Sequence, residues 1–231
     1  ATYADLSAMY EILNYVKSTC DQGIYVRPVP LDPENTCVVA YGDSGWANAP
    51  DLKSQTGCLV LLTTMQCLAE PTAASYQDHQ SQRTQRVVRS TLSGEAIAAD
   101  NAADRGTFVS CYWYEVISGN PGRTNRNIPL FLVTDCKSLY DCIISEAPSL
   151  SEKRTLIDIL SIRQGIPHDR IRWVPTHAMM ADGLTKKDKK LRATLAHLLM
   201  TGVCCLIETP FELIPRPSDP GRHKSSDIAG D

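Results

Sequence analysis

Four acidic residues stand where carboxylates could act together. Asp43 closes the β-rich stretch Thr36 to Asp43, and Asp135 closes the apolar stretch Pro129 to Asp135. If these two strands run parallel as neighbours, their ends lie about 5 Å apart. Two carboxylates that close repel by about 4 kcal/mol at an effective dielectric of 20, so a shared proton or a cation must offset the repulsion. Glu95 shares a helical stripe with Leu92, Ala96 and Ala99, which points it at a sheet rather than at water. Asp182 lies in Ala181-Asp182-Gly183, just after the last strand-like stretch. Each acid taken alone would serve equally as a turn or helix N-cap residue. Convergent hard oxygens, however, suit Mg2+ or Mn2+. A pair of such ions activates a water and stabilises the leaving oxygen in phosphodiester cleavage.

The elements that must position these acids follow from periodicity. Ala1 to Lys17 has Leu6, Met9, Tyr10, Leu13 and Val16 at helical spacing. Gly23, Pro28, Pro30 and Pro33 then break the pattern. Gln55 to Thr64 reads as a strand antiparallel to the first. Glu70 to Ser81 reads as a polar loop, and Arg83 to Arg89 as a third strand with a basic face. A long helix over Thr91 to Ile117 carries a stripe of mostly small residues, including Ala103, Gly106 and Val109, that lets it lie close on a sheet. Asn120 to Asn127 is turn-rich. Pro129 to Asp135 is apolar enough for a strand buried on both faces. Ser138 to Ile144 is a short helix, and Ser149 to Glu152 is a capping-box signature opening the next. Arg170 to Pro175 is the last strand, and Asp188 to Met200 an amphipathic helix through Leu191, Leu195 and Leu198. An antiparallel meander followed by α/β units implies a mixed sheet with helices on its faces.

Composition narrows the class. The chain has 231 residues and is 43 % hydrophobic, enough for one α/β domain plus an arm or tail. The net charge of −3 does not by itself advertise nucleic-acid binding, so local basic patches carry more weight than the total. Nine scattered cysteines, odd in number and without a C-x-x-C pair, read as reduced, packed thiols. The longest near-apolar run, Cys58 to Ala69, is too short for a membrane span, and no secretory signal opens the chain. The expected location is intracellular, cytoplasmic or nuclear, and not secreted.

Several blocks then resemble one family. Tyr41-Gly42-Asp43-Ser44-Gly45-Trp46-Ala47 resembles the Y-S-D-A-D-W-A that opens the ribonuclease H domain of copia-type retrotransposon polyproteins. Pro50 to Gly57 is similar to that family's D-x-R-x-S-T-S-G, and Arg89 to Ala96 to its S-R-S-S-A-E-A-E. Thr134-Asp135-Cys136-Lys137-Ser138 resembles C-D-N-K-S, and Lys153 to Asp158 the K-H-I-x-x-D helix. Val174-Pro175-Thr176 through Ala181-Asp182-Gly183-Leu184-Thr185-Lys186 resembles H-V-P-T through A-D-x-x-T-K. Asp5 to Thr19 is similar to the connection helix that precedes the domain. The similarity runs from Asp5 to Lys186 in the family's order. Ser44-Gly45, Cys136 and Met180 depart from the pattern but leave the acids intact.

The resemblance implies a ribonuclease H-like α/β fold, a mixed five-stranded sheet with helices on both faces. It implies a connection helix and linker over 1–35 following a reverse transcriptase and the domain over 36–202, in a cytoplasmic virus-like particle or the nucleus; the prolines and charges of Arg216 to Asp231 mark 203–231 as a disordered tail. It assigns metal binding and catalysis to Asp43, Glu95, Asp135 and Asp182, holding two Mg2+ ions (or Mn2+) and cutting the RNA strand of an RNA–DNA hybrid during reverse transcription. His177, after Trp173-Val174-Pro175-Thr176, stands where related enzymes place a histidine near the metals; an exposed loop histidine is the alternative. Arg86, Arg89, Lys137, Ser138 and Lys186 are the candidate nucleic-acid contacts; the alternative is solvated faces for Arg86, Arg89 and Lys186, and the start of a helix for Lys137 and Ser138. Trp46 is expected to pack. No Y-x-D-D polymerase signature occurs, so the reverse transcriptase partner is expected upstream in a longer parent chain. The competing reading is a catalytically inactive ribonuclease H-like module with a structural or nucleic-acid-binding role; a third is another two-metal nuclease or integrase on the same fold.

Overall fold

The computed structural model describes residues 2–48, 51–120, 127–145, 150 and 152–206. Its centre is a five-stranded mixed sheet. β1 (Thr36–Gly45) pairs antiparallel with β2 (Gln55–Thr64), and β2 pairs antiparallel with β4 (Ser75–Arg83). On its other side β1 runs parallel to β5 (Leu130–Thr134), which runs parallel to β6 (Ile171–Trp173). The strand order is β4-β2-β1-β5-β6. A separate two-residue ribbon joins β3 (Thr72–Ala73) to β7 (Val203–Cys204).

The three middle strands are buried on both faces, which explains their unbroken apolar runs. Alternate residues divide between two cores. Val38, Ala40, Val60, Leu130 and Leu132 pack with α2 (Thr91–Ser118), α3 (Lys137–Ile144) and α4 (Lys153–Gly165). Val39, Tyr41, Leu59, Leu61, Phe131 and Val133 face Val174, Met179, Ala181, Leu195 and Leu198, on and around α5 (Asp182–Thr185) and α6 (Lys189–Thr201). The expected mixed five-stranded sheet with helices on both faces is therefore what forms.

The small-residue stripe of α2 does what its composition suggests. A Cβ on Gly42 would come within 2.7 Å of the Ala98 carbonyl oxygen, so only glycine allows β1 to lie this close under α2. Ser90 caps the helix, its hydroxyl accepting from the Ser93 amide at 3.1 Å. α1 (Tyr3–Ser18) also forms, but none of its apolar stripe is buried.

Several expectations are corrected. The third strand of the sheet is Ser75–Arg83, mostly within the stretch Glu70 to Ser81 read as a loop, while Val87 in the stretch read as a strand is 81 % exposed. An edge strand needs little apolar character when its polar side chains find partners. Here Asp78 pairs with Arg105, and Gln77 accepts from the Trp113 indole at 2.7 Å. α4 is preceded by Glu152 as its N-cap, whose side chain makes no cap bond; Ser149 of the expected capping box lies outside the described residues, as do 121–126 of the turn-rich loop. Residues 203–206 are not tail: β7 pairs with β3, and Leu206 is buried with its amide bonded to the Cys67 carbonyl at 2.6 Å. The remainder of the expected tail, 207–231, lies outside the described residues. The linker before β1 is partly fastened as well, since Tyr25 donates to the Leu199 carbonyl at 2.8 Å and Val29 packs on the core. All nine cysteines are unpaired. No helix among the described residues is long and apolar enough to cross a membrane.

Candidate metal centre

Tyr41 of β1 stands opposite Val133 of β5 in the parallel register. Continuing two residues brings Asp43 and Asp135 together, on the same face, just past the last paired residues of β1 and β5. Glu95, one turn into α2, reaches the same point from the other layer. One carboxylate oxygen from each of Asp43, Glu95 and Asp135 lies within 4.8 Å of the others. Asp43 and Glu95 are buried, and Asp135 is partly buried.

Asp182 comes from the opposite layer, at the start of α5. That four-residue helix is held down tightly. A Cβ on Gly57, which pairs with Asp43 across β1 and β2, would meet the Thr185 side chain at 2.7 Å, so the missing side chain lets α5 settle on the sheet. Asn48 donates to the Thr185 carbonyl at 2.9 Å, and Ser81 donates to the Leu184 carbonyl at 2.6 Å. So placed, Thr185 donates its hydroxyl to Asp43. Lys186 donates its ammonium to Asp182 and stands 3.5 Å from the second oxygen of Asp43.

The electrostatics follow from this crowding. Burial, reinforced by Asp43 and Asp135, pushes the Glu95 carboxyl up to about 9. Burial and Asp43 push Asp182 up to about 7 against the pull of Lys186. Asp135 is raised by burial and Asp43, and a hydrogen bond from the Thr176 hydroxyl partly opposes the shift. Burial alone would lower the Lys186 ammonium, but its bond to Asp182 and the charges of Asp43, Asp182 and Asp135 hold it above the ordinary lysine value. Glu95 Oε2 and Asp182 Oδ2 are buried and make no hydrogen bond. Carboxyl oxygens left without donors in a buried cluster of acids fit a hard divalent cation, whose charge would take the place of the proton.

The chain is similar to ribonuclease H domains of known structure. One is the N-terminal RNase H domain of a Mycobacterium tuberculosis protein, solved as a fusion with maltose-binding protein. It matches at TM-score 0.41 and 12 % identity, over 70 % of this chain and 98 % of that one. RNase H1 of the halophilic archaeon Halobacterium salinarum matches at TM-score 0.41 and 13 % identity, over 64 % and 93 %. A foamy viral protease–reverse transcriptase in complex with RNA/DNA hybrid matches at TM-score 0.40 and 14 % identity; 76 % of this chain corresponds to 21 % of that one. No protein-family profile matches the chain, and no curated protein matches it. Likenesses this distant leave the chemistry to be read from the side chains.

Of the four acids of the sequence reading, Asp43, Glu95 and Asp135 form a cluster, and Asp182 is joined to it through Lys186, which also stands 3.5 Å from Asp43. The other candidates fare differently. His177 lies exposed in a 3-10 turn, Thr176–Ala178, and no hydrogen bond ties it to the acids among the described residues. Its neighbour Thr176 is the residue that reaches Asp135. Arg86 pairs with Asp158 and fastens the segment before α2 to α4, so its charge is used structurally. Lys137 pairs with Asp141 one turn along α3 and lies 4.9 Å over the Tyr140 ring. Ser138 is exposed, 3.3 Å from the Cys136 sulfur, and Arg89 is exposed just before the α2 cap. Lys186 is committed to the acids. Trp46, expected to pack, is 49 % exposed, with its indole 3.4 Å from the Val88 carbonyl. A basic cavity of about 840 Å³ adjoins the acids through Thr185 and Lys186, and Arg83, Lys187 and Arg192 also line it.

Proposed function

We propose that this chain is a metal-dependent ribonuclease H that hydrolyses the RNA strand of RNA–DNA hybrids during reverse transcription in a copia-type element. The observation that carries the reading is the meeting of Asp43, Glu95 and Asp135 within 4.8 Å at the ends of two parallel strands. The order of the family-like blocks from Asp5 to Lys186 supports the retroelement context, with a reverse transcriptase as the upstream partner.

In this reading Asp43, Glu95, Asp135 and Asp182 would hold two Mg2+ or Mn2+ ions, which supply an activated water and a counter-charge for the departing 3′ oxygen. The rest is the chain's own work. Thr185 fixes one oxygen of Asp43 and leaves the other facing the pocket. Thr176 orients Asp135. Arg83, Lys187 and Arg192 attract the phosphates that flank the cut and make binding salt-sensitive. The 2′-hydroxyl distinguishes the strand to be cut.

The test is cleavage of an end-labelled RNA–DNA hybrid. The expected result is Mg2+- or Mn2+-dependent cutting of the RNA strand, abolished by Asp43→Asn. A correctly folded protein that binds the hybrid and leaves it intact with either metal would establish the inactive binding module instead.

A further inference from the structure

Among the described residues, Lys186 is the one cation that the fold itself places among the acids, and its position is built. It follows Asp182 by one helical turn, so α5 delivers carboxylate and ammonium to one place. The ammonium touches Asp182 and stands 3.5 Å from Asp43, so it joins the two acids that come from opposite ends of the chain. The other oxygen of Asp182 is fully buried without a hydrogen bond. Glu95 has a buried, unbonded oxygen too, but no ammonium touches it. The pocket therefore has one part already neutralised by the protein and one part left for an added cation.

We propose that Lys186 is a built-in counter-cation that a divalent ion must displace before Asp43 and Asp182 can ligate it together. This inference rests on the reading of the four acids as metal ligands. The displaced side chain has somewhere to go. Lys186 also lines the cavity of Arg83, Lys187 and Arg192, so a short swing moves its charge from the carboxylates toward the phosphates that this groove would attract. The side chain is 35 % exposed, which leaves room for that motion. Loading is then coupled to substrate: a phosphate in the groove offers Lys186 an alternative partner and releases the acids. Lys186 is a positioning residue in this scheme and takes no part in bond making.

Calorimetric titration of Mn2+ into the metal-free full chain tests the idea, comparing the unaltered protein with Lys186→Met and Lys186→Arg. Removing a competing unit charge at this distance should tighten Mn2+ binding to the second of two sites about fivefold or more. Lys186→Arg should restore the weaker binding. Lys186→Met that binds Mn2+ with unchanged or lower affinity overturns the proposal. The unaltered protein gives a second readout in case Lys186→Met does not fold without metal. Brief acetic anhydride labelling, read by mass spectrometry, should modify Lys186 faster once Mn2+ is added. Labelling that is unchanged or slowed by Mn2+ overturns it equally. Hybrid cleavage measured alongside separates the two claims. Cutting by a protein whose Mn2+ binding ignores Lys186 removes only this inference, whereas Lys186-dependent Mn2+ binding without cutting removes only the nuclease reading.

Discussion

Glu95 and Asp182 are both buried acids aimed at one pocket, yet they are built into it differently. Glu95 rides on a 28-residue helix packed along the sheet, and one of its oxygens meets no donor. Asp182 rides on a four-residue helix pinned by Asn48 and Ser81, and that helix carries its own ammonium. The long helix fixes a position rigidly and leaves charge uncompensated. The short one compensates charge locally, through a lysine side chain that is partly exposed and can swing away. The difference teaches that the rigid half defines where a cation sits, while the adaptable half decides when the pocket is open to it.

The sharpest way to break this comparison is to remove one acid from each half. Glu95→Gln, like Asp43→Asn or Asp135→Asn, should lower hybrid cleavage on the order of a thousandfold or more, because residues that act as a unit fail together. Asp182→Asn should cost about 10- to 100-fold, the scale of a supporting ligand. Equal losses in a cleavage time course would erase the distinction between the halves.

Stability against pH probes the uncompensated half. Glu95 is raised from 4.5 to about 9 in the folded chain. In the window between those values the folded state holds a proton that the unfolded state has lost, so metal-free protein should lose stability as pH rises through it. Asp182, raised to about 7, adds to the same slope over the lower part of the window. Thermal melts in EDTA should show Tm falling toward alkaline pH. Glu95→Gln should flatten that fall, and Mn2+ should raise Tm most at the alkaline end. A Tm that climbs with pH in EDTA would contradict the burial described here.

Smaller effects sharpen the adaptable half. Lys187→Ala combined with Arg192→Ala should raise KM severalfold with kcat little changed. The same pair should reduce the salt slope of hybrid binding by about one to two units, as expected for two lost phosphate contacts. At the bottom of the scale, His177→Ala should fall well short of the hundredfold or more lost with a general acid or base. Arg86→Ala should leave hybrid affinity unchanged and destabilise the fold by about 1 kcal/mol, read by urea denaturation.

Much of this arrangement was legible before any coordinates. The unbroken apolar runs of β1, β2 and β5 announce strands covered on both faces, and Asp43 and Asp135 stand out as acids at their ends. The alanine stripe of α2 announces a close approach and places Glu95 on it. β4 was hidden because its polar side chains are satisfied by Arg105 and Trp113, partners that no local pattern reveals. Thr185 and Thr176 were hidden for a related reason. A hydroxyl that orients a carboxylate has no periodicity, and its partner lies far away in the chain. Lys186 was legible as a cation but not as a counter-ion, since its neighbour Asp43 is 143 residues distant.

That separation has a kinetic consequence. The pocket is assembled from β1, α2, β5 and α5, so its last wall, with Thr185 and Lys186, is translated long after its first. Until α5 docks on Gly57, Asp43 lacks its hydroxyl donor and the acids have no shared enclosure. Such non-local closure is slow compared with helix formation. A nascent chain should therefore acquire high metal affinity only at the end of folding, and a shortened chain that stops before α5, and so lacks Asp182, should not acquire it.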